Sequence, residues 1–316
     1  MTNLVNKTVP AATPAISATP TTARNTGWLG FALVTTLLWG VWGAFAGRPV
    51  ANGFPETLVY VVWALTMIPP ALVVLARSHW RVRRDRAAVA YGLVIGLLGA
   101  GGQMILFHAV KEGPTYLIFP MIALSPVITI ALSYLLLRER TGAMGVAGIV
   151  LALCALPLFD FAPEQGAVAY GWWFVLAVGV LVAWGLQAYF IKRANTIMDA
   201  ESIFFYMTVS ALAFIPVALA MTDFSRPINY GLDGPGLAAI TQVLNAIGAL
   251  TLVYAFRHGK ALVVSPLVNA GAPLLTTVIS VALAASLPSG YKLAGIGLSL
   301  IAALLLALQP DAPDAS

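Results

Sequence analysis

Side chains able to bind a small molecule lie in the middle of long apolar runs of this sequence. They are neutral: indoles, which stack on other groups, and amides, which both donate and accept hydrogen bonds. Trp39 and Trp42 are three residues apart, as are Gln242 and Asn245, so each pair shares one face of a helix. The set predicted to bind a ligand is Trp39, Trp42, Gln103, Trp184, Gln187, Gln242, Asn245 and Asn269.

Ionisable side chains are the second group of candidates, and they lie near the ends of the apolar runs. His108 and Glu112 are four residues apart, one helical turn, so together they could accept a proton; simple solvation is the alternative. Glu139 stands between Arg138 and Arg140. Ion pairing that sets the end of its helix is one prediction for Glu139, and a gating role is the other.

Residues typical of catalytic and metal sites are missing from the sequence. Cys154 is the only cysteine and there are three histidines, too few for the usual metal-binding sets. No His-Glu-x-x-His, aspartate cluster or Gly-x-Ser-x-Gly occurs. We therefore predict no catalytic residues, no metal, no cofactor and no enzymatic activity.

The composition requires a membrane. Of 316 residues, 60% are hydrophobic and 9% are charged, and the mean hydropathy is +0.89. A core about 30 Å thick takes about 20 apolar residues per helix. This length predicts an all-α, multi-pass protein with ten spans, α1 to α10, at residues 28–47, 57–76, 88–110, 115–137, 142–160, 168–191, 202–221, 236–256, 261–286 and 290–308.

The chain repeats itself. A helical hairpin at residues 101–140 has prolines in its second helix, which bend it and favour a position inside the bundle, and the pattern returns at residues 244–287. Trp39 matches Trp184 at an offset of 145 positions, and Thr129 matches Thr276 at 147. Five helices per copy is an odd number, so the second copy is predicted to be inverted relative to the first.

The basic residues predict the orientation. With the amino terminus in the cytoplasm, 13 of the 17 Lys and Arg residues fall inside and 4 fall outside, which places both termini in the cytoplasm. The net charge of +5 then marks cytoplasmic loops rather than a nucleic-acid surface. Residues 1–26 and 309–316 are predicted to be tails, and 27–160 and 161–308 the two repeats.

Several segments together resemble a known family. They are Leu-Leu-Trp-Gly at 37–40, the turn Lys-Glu-Gly-Pro before a proline helix, Leu-Leu-Leu-Arg-Glu-Arg at the end of α4, and the small-residue helix 142–156. In this order and duplicated, over residues 28–308, they resemble the drug/metabolite transporter superfamily, in particular its EamA-type ten-helix carriers. The resemblance implies two five-helix EamA repeats. One departure is Ser286-Leu287-Pro288, which replaces the charged end of α4 in the second repeat.

The resemblance implies secondary transport of a small metabolite, often outward. From it and from the neutral side chains we predict an exporter or exchanger of a small polar or zwitterionic metabolite, such as an amino acid, working by alternating access around a central cavity. A doubly charged anion is disfavoured because no cation lies mid-span. The alternatives are a membrane enzyme and a structural or signalling membrane protein. We expect a monomer or weak homodimer in the lipid bilayer of a bacterial inner membrane.

Overall fold

The computed structural model describes residues 27–113, 115–159, 171–284 and 289–308, and within them every regular element is helical. Eight helices are long and apolar enough to cross a membrane. The shorter apolar helices Met121–Leu136 and Ala143–Phe159 bring the described set to ten. The predicted fold class, ten membrane helices in two inverted repeats of five, is confirmed.

The helices of the two repeats follow one another with short connections. In the first repeat α1 is Gly27–Phe45, α2 is Glu56–Thr66 continued by Ile68–Arg77, α3 is Arg86–Glu112, α4 is Thr115–Ala123 continued by Pro126–Leu136, and α5 is Ala143–Ala155. In the second, α6 is Trp172–Ala194, α7 is Ala200–Ala213 continued by Ile215–Ala220, α8 is Leu237–His258, α9 is Ala261–Ala284 and α10 is Gly290–Leu308. Arg48–Ala51, Leu156–Phe159 and Leu232–Gly236 are short helical turns.

Proline explains where spans are interrupted. The second part of α4 begins at Pro126, and the predicted single helix over 115–137 is divided there. The predicted α2 is likewise divided at Met67, before two prolines. Because proline has no amide hydrogen and fits the first turn of a helix, each division places it at a new helix start. In contrast, α9 continues through Pro266 and Pro273.

The repeats pack mainly on each other. Helix α1 of the first repeat lies against α8 and α9 of the second, and α6 of the second lies against α3 and α4 of the first. Small residues allow these helices to approach closely: Ala32 of α1 and Ala246 of α8 are fully buried. Each repeat therefore supplies one helix to the middle of the other, and the seam between them runs through α1 and α6.

The two ends of the bundle are defined by contacts between helix ends. Gly259, after α8, lies against Trp28 at the start of α1, and Gly148, early in α5, lies against Leu306 at the end of α10. Because the ten helices cross the bundle alternately, the start of α1 and the ends of α8 and α10 lie on one side, called here the near side. The opposite face is the far side.

Candidate functional site

Trp39 and Trp184 make equivalent contacts across the seam. Trp39 of α1 lies so close to Gly248 of α8 that a methyl group there would collide with its indole ring. Trp184 of α6 lies against Gly102 of α3, where a methyl carbon would be 2.6 Å from the indole Nε1. The tryptophans are 145 positions apart and the glycines 146, so one contact occurs twice. The sequence identified both tryptophans as candidates, but it did not show that they pair with these glycines.

Two equivalent hydrogen bonds join α1 and α6 to another pair of helices. The Thr129 hydroxyl of α4 donates to the Gly185 carbonyl of α6 over 3.0 Å. The Thr276 hydroxyl of α9 donates to the Gly40 carbonyl of α1, also over 3.0 Å. Thr129 and Thr276 are the pair predicted at the offset of 147, so these bonds confirm that register. They fix the proline-containing helices α4 and α9 to the central helices α1 and α6.

The predicted amides have different surroundings. Asn245 Nδ2 donates to Gln242 Oε1 over 3.1 Å, and the Asn245 carbonyl accepts from Trp39 Nε1 over 3.2 Å, so these three residues form one group. Gln187 of α6 lies directly against Gly99 of α3. Asn269 instead donates to Ser265 of its own helix over 2.9 Å.

Trp42 has an unused donor. Its Nε1 is buried and has no hydrogen-bond partner among the residues that the structure describes, and the same holds for Thr36 Oγ1 on the same helix. Leaving a buried donor unpaired costs about 1–3 kcal/mol. A ligand carrying an acceptor would remove this cost, so Trp42 is the predicted site residue with the clearest need for a partner.

Three further predicted residues are all on α3. Gln103 is partly buried on α3, next to the glycine that receives Trp184. His108 and Glu112 are both exposed near the end of α3, a position suited to solvation. The central group therefore contains indoles and amides that can stack and hydrogen-bond.

Glu139 links the two repeats at the near side. Its side chain is only 4% exposed, and Oε2 accepts a hydrogen bond from the Leu262 amide over 3.0 Å. Leu262 is in the first turn of α9, where free amides and the helix dipole favour a carboxylate. Glu139 Oε1 is 3.7 Å from Lys192 Nζ at the end of α6. A residue that follows α4 therefore stabilises the start of α9 in the other repeat.

Lys192 connects this contact to α8. Its Nζ donates to the Phe256 carbonyl over 3.1 Å and to the Gly259 carbonyl over 2.5 Å, at the carboxyl end of α8. A cation is favoured there by the helix dipole. The ends of α4, α6 and α8 and the start of α9 are thus joined, and we call Glu139 and Lys192 with their helix-end partners the near-side latch. In the sequence Lys192 counts only as an orientation charge, since nothing local indicates its partners.

Burial differs between the two halves of α9. From residue 261 to 272, on the near side, every residue except Asn269 is buried. From residue 273 to 283, toward the far side, none is buried. The near-side half of α9 is therefore enclosed by protein, while the side chains of its far-side half are more exposed.

Comparisons with known proteins agree with the repeated architecture. The EamA-like transporter family matches twice, at residues 26–159 and 171–308. An uncharacterised protein of Methanocaldococcus jannaschii is 26% identical over 128 residues, which are 40% of this chain and 92% of that protein, so this relative has about the length of one repeat. One crystal structure matches with a TM-score of 0.74 at 18% identity, over 88% of this chain and 98% of its own, which shows a shared fold.

Proposed function

Because the chain belongs to the EamA-like transporter family, we propose that this multi-pass membrane protein carries a small polar or zwitterionic metabolite by alternating access. The observation that supports this most directly is the buried indole Nε1 of Trp42 on α1, which has no hydrogen-bond partner among the described residues. In inverted-repeat carriers the substrate binds where the two copies face each other. The proposed site is the group around Trp39, Trp42, Gln242 and Asn245 with the facing Trp184 and Gln187.

The chemistry of this group favours a neutral or zwitterionic ligand. An indole offers a flat apolar surface and one donor, and an amide offers both a donor and an acceptor. The charged residues of the sequence lie at or beyond the helix ends, so two anionic charges would be buried mid-span without cationic partners. An amino acid is the substrate class we propose, with export or exchange as the mode.

The near-side latch supplies the closure that alternating access requires. Glu139 holds the start of α9 and Lys192 holds the end of α8, and we propose that these contacts keep the near side closed. Opening that side requires the carboxylate of Glu139 to leave the Leu262 amide. We propose that substrate enters and leaves the near side only when this contact is broken, which makes Glu139 a gating residue.

We propose that the near side is cytoplasmic. The Arg-rich residues 77–86 connect α2 to α3 on the same side as the start of α1, and basic loops are retained in the cytoplasm. A reporter fused after Arg86 should behave as cytoplasmic, and one fused after Arg226 as external. The opposite result for both fusions would reverse the orientation.

Transport by reconstituted vesicles tests the site. Asn245→Ala removes one neutral hydrogen bond, worth about 0.5–1.5 kcal/mol, and should weaken substrate binding roughly threefold to tenfold. Trp184→Ala should weaken it further because it also removes the stacking surface. Uptake and efflux of a panel of amino acids and other small metabolites would be measured, with binding measured for any substrate found.

Two controls separate the site from general damage. Trp172→Ala removes an indole that is 64% exposed at the start of the same helix as Trp184. Arg226→Ala removes a side chain that is 82% exposed in the loop before α8. If all four variants are equally stable and transport equally well, the site lies elsewhere and the seam residues serve packing.

A further inference from the structure

A basic loop on the near side is not used by the proposed transport site. Residues 77–86, here called the arginine loop, join α2 to α3 and contain the five arginines 77, 81, 83, 84 and 86. All five are exposed, and Asp85 is the one acidic residue of the loop, which leaves a formal charge of +4. Such a density of exposed arginine at a membrane edge requires a partner or strong hydration.

The arginine loop is held in a defined conformation. The Arg83 amide donates to Ser202 Oγ over 2.9 Å, and the Arg83 carbonyl accepts from the Tyr206 hydroxyl over 2.9 Å. Both partners belong to α7 of the other repeat. Asp85 accepts from the Ala88 amide and so caps the start of α3. The loop is therefore fixed at both of these points, and its arginines are presented without first having to be ordered.

The acidic residues near the loop are already engaged. Asp85 pairs with Arg83 over 2.6 Å and neutralises its charge. This hydrogen bond is the largest cause that holds the pKa of Asp85 below its usual value, and the hydrogen bond from the Ala88 amide is the second. On α7, Asp199 caps the helix through the Ser202 amide. Among the described residues no carboxylate lies within 4 Å of a guanidinium nitrogen of Arg81, Arg84 or Arg86, which remain available.

Trp80 places these arginines at the membrane interface. It follows the end of α2, and its side chain is 61% exposed. His79 and Trp80 both have left-handed backbone conformations, with φ of 55° and 59°, which turn the chain sharply after the helix. An exposed indole at the end of a membrane helix is typical of the headgroup layer, where arginines bind phosphate with paired hydrogen bonds.

We propose that the arginine loop is a binding surface for anionic phospholipid headgroups, and that lipid bound there stabilises the contact between the two repeats. The loop belongs to the first repeat, and its anchor on α7 belongs to the second. Next to the anchor, Gly92 of α3 lies directly against Tyr206, and Gly96 against Ser210, so the helices are in close contact. A lipid that binds this arrangement raises its stability by mass action. The proposal does not depend on the transported substrate.

Native mass spectrometry of the detergent-solubilised full chain would test this. The chain would be titrated with phosphatidylglycerol and, separately, with phosphatidylcholine of the same acyl chains. We expect preferential binding of phosphatidylglycerol, with a rise in the thermal midpoint. The triple variant Arg81→Gln, Arg84→Gln, Arg86→Gln should lose affinity for the first phosphatidylglycerol on the order of 100-fold, and the rise in midpoint with it.

The matched control removes three exposed arginines elsewhere, through Arg48→Gln, Arg193→Gln and Arg226→Gln. It should bind as the wild type does. If the triple variant proves unstable, Arg84→Gln alone should weaken binding about fivefold. An equal loss of affinity for phosphatidylglycerol in both triple variants would overturn the proposal. Equal binding of the two lipids by the wild type would also overturn it. An equal rise in midpoint with inorganic phosphate would also overturn it, since the surface would then bind a soluble anion.

Discussion

Replacing Glu139 by glutamine would remove the charge of the near-side latch while keeping its shape. Glutamine retains an oxygen that can accept from the Leu262 amide, as Glu139 Oε2 does over 3.0 Å. It loses the negative charge beside Lys192, whose Nζ lies 3.7 Å from Oε1. The substitution therefore tests the charge of the latch separately from its packing.

The size of the effect follows from the contacts that change. A hydrogen bond to a charged acceptor contributes about 1.5–3 kcal/mol and a neutral one about 0.5–1.5 kcal/mol, so the closed state should lose about 1–2 kcal/mol. Glu139 is 4% exposed, so solvent screens the loss little. Lys192 keeps two carbonyl partners, which limits the cost of leaving it without a counter-charge. The equilibrium should shift about 5-fold to 30-fold toward the state open at the near side.

A cysteine behind the latch reports this shift. Ser265 is 2% exposed in α9, within one turn of Leu262, so Ser265→Cys should react slowly with a maleimide in detergent while the latch is closed. Cys154, the only native cysteine, would first be replaced by serine. Adding Glu139→Gln should then raise the labelling rate by roughly the same 5-fold to 30-fold.

The control is a second glutamate, on the far side of the bundle. Glu56 begins α2 on the far side and is exposed, so Glu56→Gln should leave the labelling rate unchanged. A lower thermal midpoint for Glu139→Gln with no change in labelling would refute the reasoning. Glu139 would then hold the bundle together in all states and would not gate it.

Two further predictions concern packing and coupling. Gly248→Ala should lower the thermal midpoint, because the new methyl group collides with the Trp39 indole and overpacking costs about 1–3 kcal/mol. Gly30→Ala is the control and should leave the midpoint unchanged, because Gly30 faces open space. Equal midpoints for the two variants would contradict this prediction. Because no span has a carboxylate at its centre, a pH gradient alone should not concentrate substrate, and Glu112→Gln, at an exposed position, should leave transport unchanged. Uphill uptake that Glu112→Gln abolishes would contradict the second prediction.

Much of the fold follows from pattern alone. Apolar runs of membrane length predict the helices, and the offset of 147 predicts that Thr129 and Thr276 are equivalent, as their matching hydrogen bonds show. Interruption of helices is less predictable. The chain breaks at Met67 before two prolines, yet it continues through Pro266 and Pro273 in α9. Sequence shows which amide hydrogens are missing, whereas the neighbouring helices decide whether the helix tolerates the loss.

The contacts among the predicted site residues were predictable only in part. Helical spacing placed Gln242 and Asn245 on one face, and their side chains are hydrogen-bonded. The same reasoning cannot show that Trp39 bonds to the Asn245 backbone, or that Lys192 reaches Glu139 from 53 positions away. Such contacts join distant segments without any periodic signal, so only the packed structure reveals them.

The latch also explains why the two sides of this transporter need not be equivalent. If the repeats were identical, the state closed at the near side and the state closed at the far side would be related by symmetry and equal in free energy. At the offsets of this chain, Glu139 corresponds to Ser286 and Lys192 to Gly47, so the charged pair has no counterpart in the sequence of the far side. The near side therefore has an ion pair whose two residues are not repeated at the equivalent positions of the far side. We expect the resting protein to be closed at the near side, the state described here, and substrate binding to supply the free energy that opens the latch.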